Sequence, residues 1–218
     1  MKPYEIRLEI AGPTAMWTRP DTGDCPVSYP APTYSAVKGI FESVLWGPAV
    51  EVVPYKVEIC RPLNFHSYAT NYNGPLRKSG TEGAYQFLAT VLINVCYRLY
   101  AYVYPAQKKD ELSEKARNWD KQTTSPGHAY AAIFERRLKS GKCFTMPFLG
   151  WKEFTPSYLG PFREETSVYT DINTVLPSMV REVFPDGYKS QRRFTYDQNV
   201  RIENGVLQYS GGRKGGGA

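Results

Sequence analysis

Apolar and polar positions alternate from the first residues of the chain. Tyr4, Ile6, Leu8 and Ile10 interleave with Glu5, Arg7 and Glu9, the period of two that gives a strand one dry face. Ala11-Gly12-Pro13 is read as its end, and a proline-rich loop carrying Trp17, Arg19, Cys25 and Tyr29 follows to Pro32. Thr33 then offers a hydroxyl to the free amides of a first helical turn. Val37, Ile40, Phe41, Val44 and Leu45 recur at helical spacing with Lys38 and Glu42 facing away, and Trp46-Gly47-Pro48 stops the helix. Residues 52–63 alternate again and predict a strand; residues 64–85 are polar and turn-rich, a second long loop. Residues 87–104, rich in β-branched and aromatic side chains, predict either one strand bent at Asn94 or two in succession. After a charged insertion over 105–127, with room for a short helix, residues 128–139 return to helical spacing. Tyr130, Ile133, Phe134 and Leu138 form one stripe, and His128, Ala132, Glu135, Arg136 and Lys139 the opposite face. Ser140-Gly141 ends this helix, and residues 142–155 are read as a strand.

Strand, helix, strand, strand, helix, strand is the order of a split βαβ unit. The expected fold class is α+β: a ferredoxin-like (RRM-like, RAMP) βαββαβ domain over residues 1–157. Residues 158–210 have short strands at 167–172 and 194–209 and a turn-rich piece at 177–185. They are expected to form a small antiparallel β-sheet domain. Residues 211–218 (GGRKGGGA) are expected to be a flexible tail.

Composition removes several classes of function. No apolar run approaches the ~20 residues of a bilayer-spanning helix, and no apolar h-region follows Lys2, so a cytoplasmic protein with no membrane contact is expected. Cys25, Cys60, Cys96 and Cys143 stand 35, 36 and 47 residues apart; with no close pair they are read as free thiols rather than a zinc site. His66 and His128 are the chain's two histidines, and neither has a ligand-spaced partner. No metal and no other cofactor is expected. There is no nucleophile elbow, Walker loop or dinucleotide fingerprint, and Glu164-Glu165 would point apart on a strand.

Charge adds a positive indication. The chain has 27 Lys and Arg against 21 Asp and Glu, and the excess is clustered. Lys121, Arg136, Arg137, Lys139 and Lys142 face a single acid, Glu135, and a second basic run occupies the C-terminal thirty residues. Phosphates take guanidinium and ammonium groups, and unpaired bases take aromatic platforms, which the 17 tyrosines offer. The pattern fits single-stranded RNA. The same residues also describe a solvated helix face and a tyrosine-rich core, and composition alone leaves the two readings level.

Particular residues favour the first. The opening strand with Gly12-Pro13 and Trp17-Thr18-Arg19-Pro20, the run from Val27 through Ser43, and Trp46-Gly47-Pro48 resemble the fifth family of CRISPR-associated (Cas) proteins, subtype I-C or Dvulg. Arg61-Pro62, Ile133-Phe134-Glu135-Arg136-Arg137-Leu138, Gly141 and the run Phe148 through Phe154 match in the same order, so the likeness spans roughly residues 4–155. It implies a subunit of the type I-C Cascade complex that holds the 5′ handle of the CRISPR RNA. The implied neighbours are the backbone and large subunits, with target DNA met indirectly through the complex. It also implies metal-independent cleavage of precursor CRISPR RNA, in which a 2′-hydroxyl attacks the adjacent phosphorus with help from a base, an acid and a cation.

The chain departs from the family pattern where that chemistry is placed. Relatives carry Tyr or His before the Trp that ends the first helix, and here stands Leu45; relatives open the second helix with Lys-His, and here stand Ala129 and Tyr130. The catalytic candidates are therefore His128 and Tyr130. The RNA-binding candidates are Arg19, Tyr29, Lys38, Arg136, Lys139 and Lys142. His128 and Lys139 are about 16 Å apart along a helix and cannot serve one phosphate. Three functions stay open: a handle-binding subunit without chemistry, one that also cleaves, and an unrelated RRM-like RNA-binding module.

Overall fold

Strand β1 (Tyr4–Ala15) runs straight through Gly12-Pro13 instead of ending there. In a computed structural model that describes residues 3–72, 85–106, 113–115, 125–184 and 191–210, β1 pairs along its whole length with the long strand β4 (Tyr85–Pro105). Gly12 pairs with Val95 and Thr14 with Ile93. Between them, Pro13, which has no amide to donate, meets Asn94 at φ 55, a left-handed conformation that asparagine tolerates. The proline therefore costs the ladder little. Gly12 is required for a different reason: a Cβ there would lie 2.4 Å from Leu149 Cδ1.

Asn94 also divides the other edge of β4. Residues 97–105 pair with β2 (Val50–Ile59), and residues 85–93 with β3 (Asn64–Tyr72). Residues 87–104 thus belong to one strand bent at Asn94. The long loop expected over 64–85 is corrected, because its first nine residues are β3. That strand reads as loop because it extends as a mostly exposed ribbon with no buried face to impose alternation.

Helix α1 (Tyr34–Val44) starts as expected, with the Thr33 hydroxyl accepting from the Ala36 amide at 3.3 Å. It carries the chain from β1 to β2 across β4, the split βαβ crossover. Helix α2 (Pro126–Lys139) returns it to β5 (Tyr158–Gly160), which pairs with β1 at the opposite edge. The resulting order β5-β1-β4-β2, antiparallel throughout, is the ferredoxin-like sheet, with both helices on one face.

The fourth strand of that unit is β5, not residues 142–155. Phe144, Met146 and Phe148 mimic alternation, but all three are exposed. Their segment spends its amides on the end of α1, with Phe144 N and Thr145 N both donating to the Ser43 carbonyl, at 2.7 and 3.0 Å. Farther on, residues 167–172 form no strand. The piece read as turns instead contains β6 (Thr174–Glu182), followed by the hairpin β7 (Thr195–Glu203) and β8 (Val206–Gln208). Strand β8 pairs with β2 through Lys56, Val57 and Glu58, so β8-β7-β6 continue the same sheet. Met179, Ile202 and Leu207 join the core of Leu8, Phe41, Leu99 and Phe134. The tail at 211–218 and most of the insertion at 105–127 lie outside the described residues.

Candidate nucleic-acid interface

The end of α1 is closed by side chains from α2. Its last carbonyls have no helical partner. Arg137 Nε donates to the Val44 carbonyl at 2.9 Å, and the Tyr130 hydroxyl donates to the Leu45 carbonyl. Phe134 fills the seam, 5.7 Å from the Phe41 ring and stacked on Tyr130. Tyr130 is 3% exposed, and burial, with the Glu42 charge adding to it, holds its hydroxyl far above the usual phenol range. The hydroxyl is a fixed hydrogen-bond donor inside the helix pair.

His128 stands differently. It lies in the first turn of α2, exposed, with its ring edge-on to Tyr4 at 5.5 Å; the Tyr4 hydroxyl in turn accepts from Ser125 at 3.2 Å. An imidazole in that position is open to solvent. The two catalytic candidates thus divide into a buried structural hydroxyl and an accessible base.

Arg136 and Lys139 are exposed one turn apart on α2, where side chains at i and i+3 are neighbours. The chain then folds back: Gly141, at φ 65, and Lys142 donate their amides to the Leu138 and Arg137 carbonyls at 3.1 and 2.9 Å. This leaves the exposed Lys142 beside the C-terminus of the same helix. All three cations are exposed around the C-terminal end of α2.

The other three binding candidates lie elsewhere. Arg19 makes a two-point ion pair with Asp21, at 2.7 and 3.1 Å, and stands over the Tyr29 ring at 5.9 Å. Tyr29, expected to bind RNA, is a core residue: it is 4% exposed and its hydroxyl accepts from the Val180 amide of β6 at 3.1 Å. Lys38 is half-buried on α1, where its charge partly offsets the burial that raises the Glu42 carboxyl above its ordinary range.

The opposite face of the sheet escaped the sequence reading. Its residues alternate with the helix-facing set Val95, Tyr97, Leu99, Ala101 and Val103 on β4: Cys96, Arg98, Tyr100, Tyr102 and Tyr104, of which Cys96, Tyr100 and Tyr104 are buried as well. Tyr55 stacks on Tyr102 at 4.4 Å, Lys56 Nζ lies 3.8 Å over Tyr100, and Phe162 packs on Tyr100 at 5.3 Å. At its centre is Glu9, fully buried, accepting from Arg163 Nε at 2.6 Å, the Arg163 amide at 3.1 Å and the Thr166 hydroxyl at 2.9 Å. Burial alone would raise this carboxyl; the bonds from Arg163 and Thr166 outweigh it and hold it below the ordinary value. Arg98, 3.5 Å from the same carboxylate, also donates to the Arg163 and Thr166 carbonyls. The cluster fastens the segment after β5 across the sheet. Period-two reading of both residue sets on β4 would have exposed it.

This fold is shared by solved proteins. A CRISPR-associated protein superposes with TM-score 0.68 at 18% identity, covering 97% of this chain and 94% of that one. A functionally uncharacterised Streptococcus mutans protein gives the same values. A chain of a CRISPR RNA-guided surveillance complex superposes at 0.51 and 14% identity, covering 94% and 91%. These establish the fold. In sequence, the profile of the family described as CRISPR-associated protein (Cas_Cas5), in its Cas5d form, matches residues 5–212, and the chain belongs to that family. A CRISPR pre-crRNA endoribonuclease Cas5d of Mannheimia succiniciproducens is 30% identical over 167 residues, 68% of this chain and 69% of its own length. The protein so described from Thermus thermophilus is 28% identical over 162 residues, 72% and 63%.

Proposed function

We propose that this protein is the subunit of a type I-C Cascade complex that holds the 5′ handle of the CRISPR RNA. The observation that carries the reading is the exposure of Arg136, Lys139 and Lys142 around the C-terminal end of α2 in a chain that belongs to the Cas5 family. Three clustered cations suit a phosphate backbone, and the exposed tip of α2 leaves room for an unpaired strand. The partners are the CRISPR RNA and the backbone and large subunits, with target DNA reached through them, and the place of action is the cytoplasm. Among the described residues, no helix is long and apolar enough to cross a membrane. The test is a gel shift of the purified protein with the RNA of its own repeat, in EDTA. A shifted band that weakens steeply with salt is the expected result, and no shift at low ionic strength refutes the reading.

A second reading adds cleavage. It is favoured by the relatives described as pre-crRNA endoribonucleases and by the exposure of His128 at the start of α2. His128 would take the 2′-hydroxyl proton, while Leu45 and Ala129 supply no proton donor or acceptor. In the same gel, a handle-length product that disappears in His128→Ala supports it. An intact shifted band leaves the protein a holder of RNA.

A further inference from the structure

Cys60 and Cys96, both free thiols, stand opposite each other in the sheet. Ile59, the last residue of β2, pairs with Tyr97 of β4, and one step on the Cys60 amide donates to the Cys96 carbonyl at 2.9 Å. Residues directly opposite in an antiparallel ladder send their side chains to the same face, and a hydrogen-bonded pair has its Cα atoms about 5.5 Å apart. That spacing lies within the range a disulfide bridges. The two thiols are hydrogen-bonded to each other. Their surroundings differ. Cys96 Sγ stands 3.7 Å from Arg163 Nη2 and 3.7 Å from Glu9 Oε1, inside the charged cluster, while Cys60 Sγ lies 3.7 Å from the Glu58 carbonyl. The hydrogen bond from Cys60 lowers the Cys96 thiol below its ordinary value; burial and the Glu9 charge oppose this and Arg163 assists it. The same bond, with burial, raises Cys60. Cys96 is therefore the thiol that ionises, and Cys60 the one that keeps its proton.

We infer that Cys60 and Cys96 form a site of oxidation by hydrogen peroxide, which joins them in a disulfide. The Cys96 thiolate attacks one peroxide oxygen. A sulfur–oxygen bond forms, the oxygen–oxygen bond breaks, and the departing hydroxide takes up the proton released when the thiol ionised. Cys60 then attacks the sulfur of the resulting sulfenic acid; the sulfur–sulfur bond forms, and the hydroxyl leaves with the Cys60 proton as a second water. Two thiols lose two electrons and one peroxide gains them. Peroxide enters from the side of Cys60, which is 8% exposed and is followed by the exposed Arg61-Pro62. The bond closes a covalent loop that contains all of β3, so oxidation ties the root of the exposed ribbon to the sheet. In a reducing compartment such a bridge is made when peroxide arrives and undone by thiols. None of this depends on RNA binding.

The test treats the native full chain with hydrogen peroxide in modest molar excess, alkylates the remaining thiols after denaturation, and maps the peptides by mass spectrometry without reduction. The expected product is a peptide pair joined through Cys60 and Cys96, lighter by two hydrogens than its separate halves and parted again by dithiothreitol. Both cysteines should be lost from the alkylated pool together. In Cys60→Ser the reaction should stop at a sulfenic acid on Cys96, trapped by dimedone; in Cys96→Ser, Cys60 should stay alkylatable. The wild-type map decides the matter even where a variant does not fold. If Cys60 and Cys96 are both still alkylated under conditions that oxidise the exposed Cys25, the inference is overturned. It is overturned equally by a bridge that forms no faster in the folded chain than in urea, since the fold would then contribute nothing to the site.

Discussion

The two faces of the central sheet are held by different forces, although the same strands supply both. Toward the helices, Ile6, Leu8, Leu99 and Ala101 meet Phe41 and Phe134 with no charge in the layer. On the other side, Arg7, Glu9, Arg98 and Tyr100 stand on the intervening positions of β1 and β4, and cohesion comes from the buried carboxylates of Glu9 and Glu58 and from packed rings. The apolar face tolerates approximate fit, because burial is non-directional. The charged face does not, because each donor aimed at Glu9 is useful only while the carboxylate stays ionised and in place. The helix side therefore defines the general fold, and the Glu9 side fixes where the segment after β5 crosses it.

Truncating each face at its centre separates the two. Phe134→Ala is expected to cost about 4 kcal/mol in denaturant unfolding, the range for a fully buried aromatic, with little dependence on pH. Glu9→Gln should cost about 3 kcal/mol, since it strands donors built around a buried charge, and its cost should depend on pH. The folded-state value of Glu9 lies below the ordinary 4.5. Its contribution is therefore complete above pH 4.5 and lost as pH falls through the lower folded value. Wild-type stability should drop through that acid window, and in Glu9→Gln that component of the drop should vanish. Equal acid sensitivity in both proteins would show that the cluster is not a stabilising charge site.

The same contrast explains what was legible in the sequence. The helix face wrote its pattern openly: β1, α1 and the stripe Tyr130, Phe134, Leu138 follow from spacing alone, because burial demands period. The left-handed Asn94 was visible as a bend. Strand β3 was not, since a ribbon outside the core needs no alternation, and residues 142–155 misled because Phe144, Met146 and Phe148 alternate without pairing. Of the candidate site, the exposure of Arg136 and Lys139 on α2 was readable from helical geometry. The burial of Tyr29 was not, as it depends on β6, 151 residues away in sequence from Tyr29 to Val180.

A third, smaller effect concerns binding. Replacing Arg136, Lys139 and Lys142 together by alanine should weaken repeat RNA by about 2 kcal/mol. It should also make the salt dependence of log K shallower by about two, at roughly 0.7 per phosphate contact on a single strand. Folding stability should barely change, because all three are exposed. If the slope is unaltered, the phosphate path runs elsewhere than the C-terminal end of α2.

The smallest expected change concerns the seam between the end of α1 and α2. Tyr130→Phe removes the donor to the Leu45 carbonyl while keeping the ring against Phe134, and should cost about 1 kcal/mol as a single lost hydrogen bond to backbone. Because burial keeps this hydroxyl protonated well beyond neutral pH and its proton is held by the Leu45 carbonyl, it is free to act neither as base nor as acid in an RNA cleavage step. Any cleavage seen in EDTA should therefore persist in Tyr130→Phe at an unchanged rate and pH profile, and His128→Ala should abolish it. The reverse result, full stability with cleavage lost in Tyr130→Phe, would mean that the seam opens when RNA binds and that the hydroxyl leaves Leu45 to meet the phosphate.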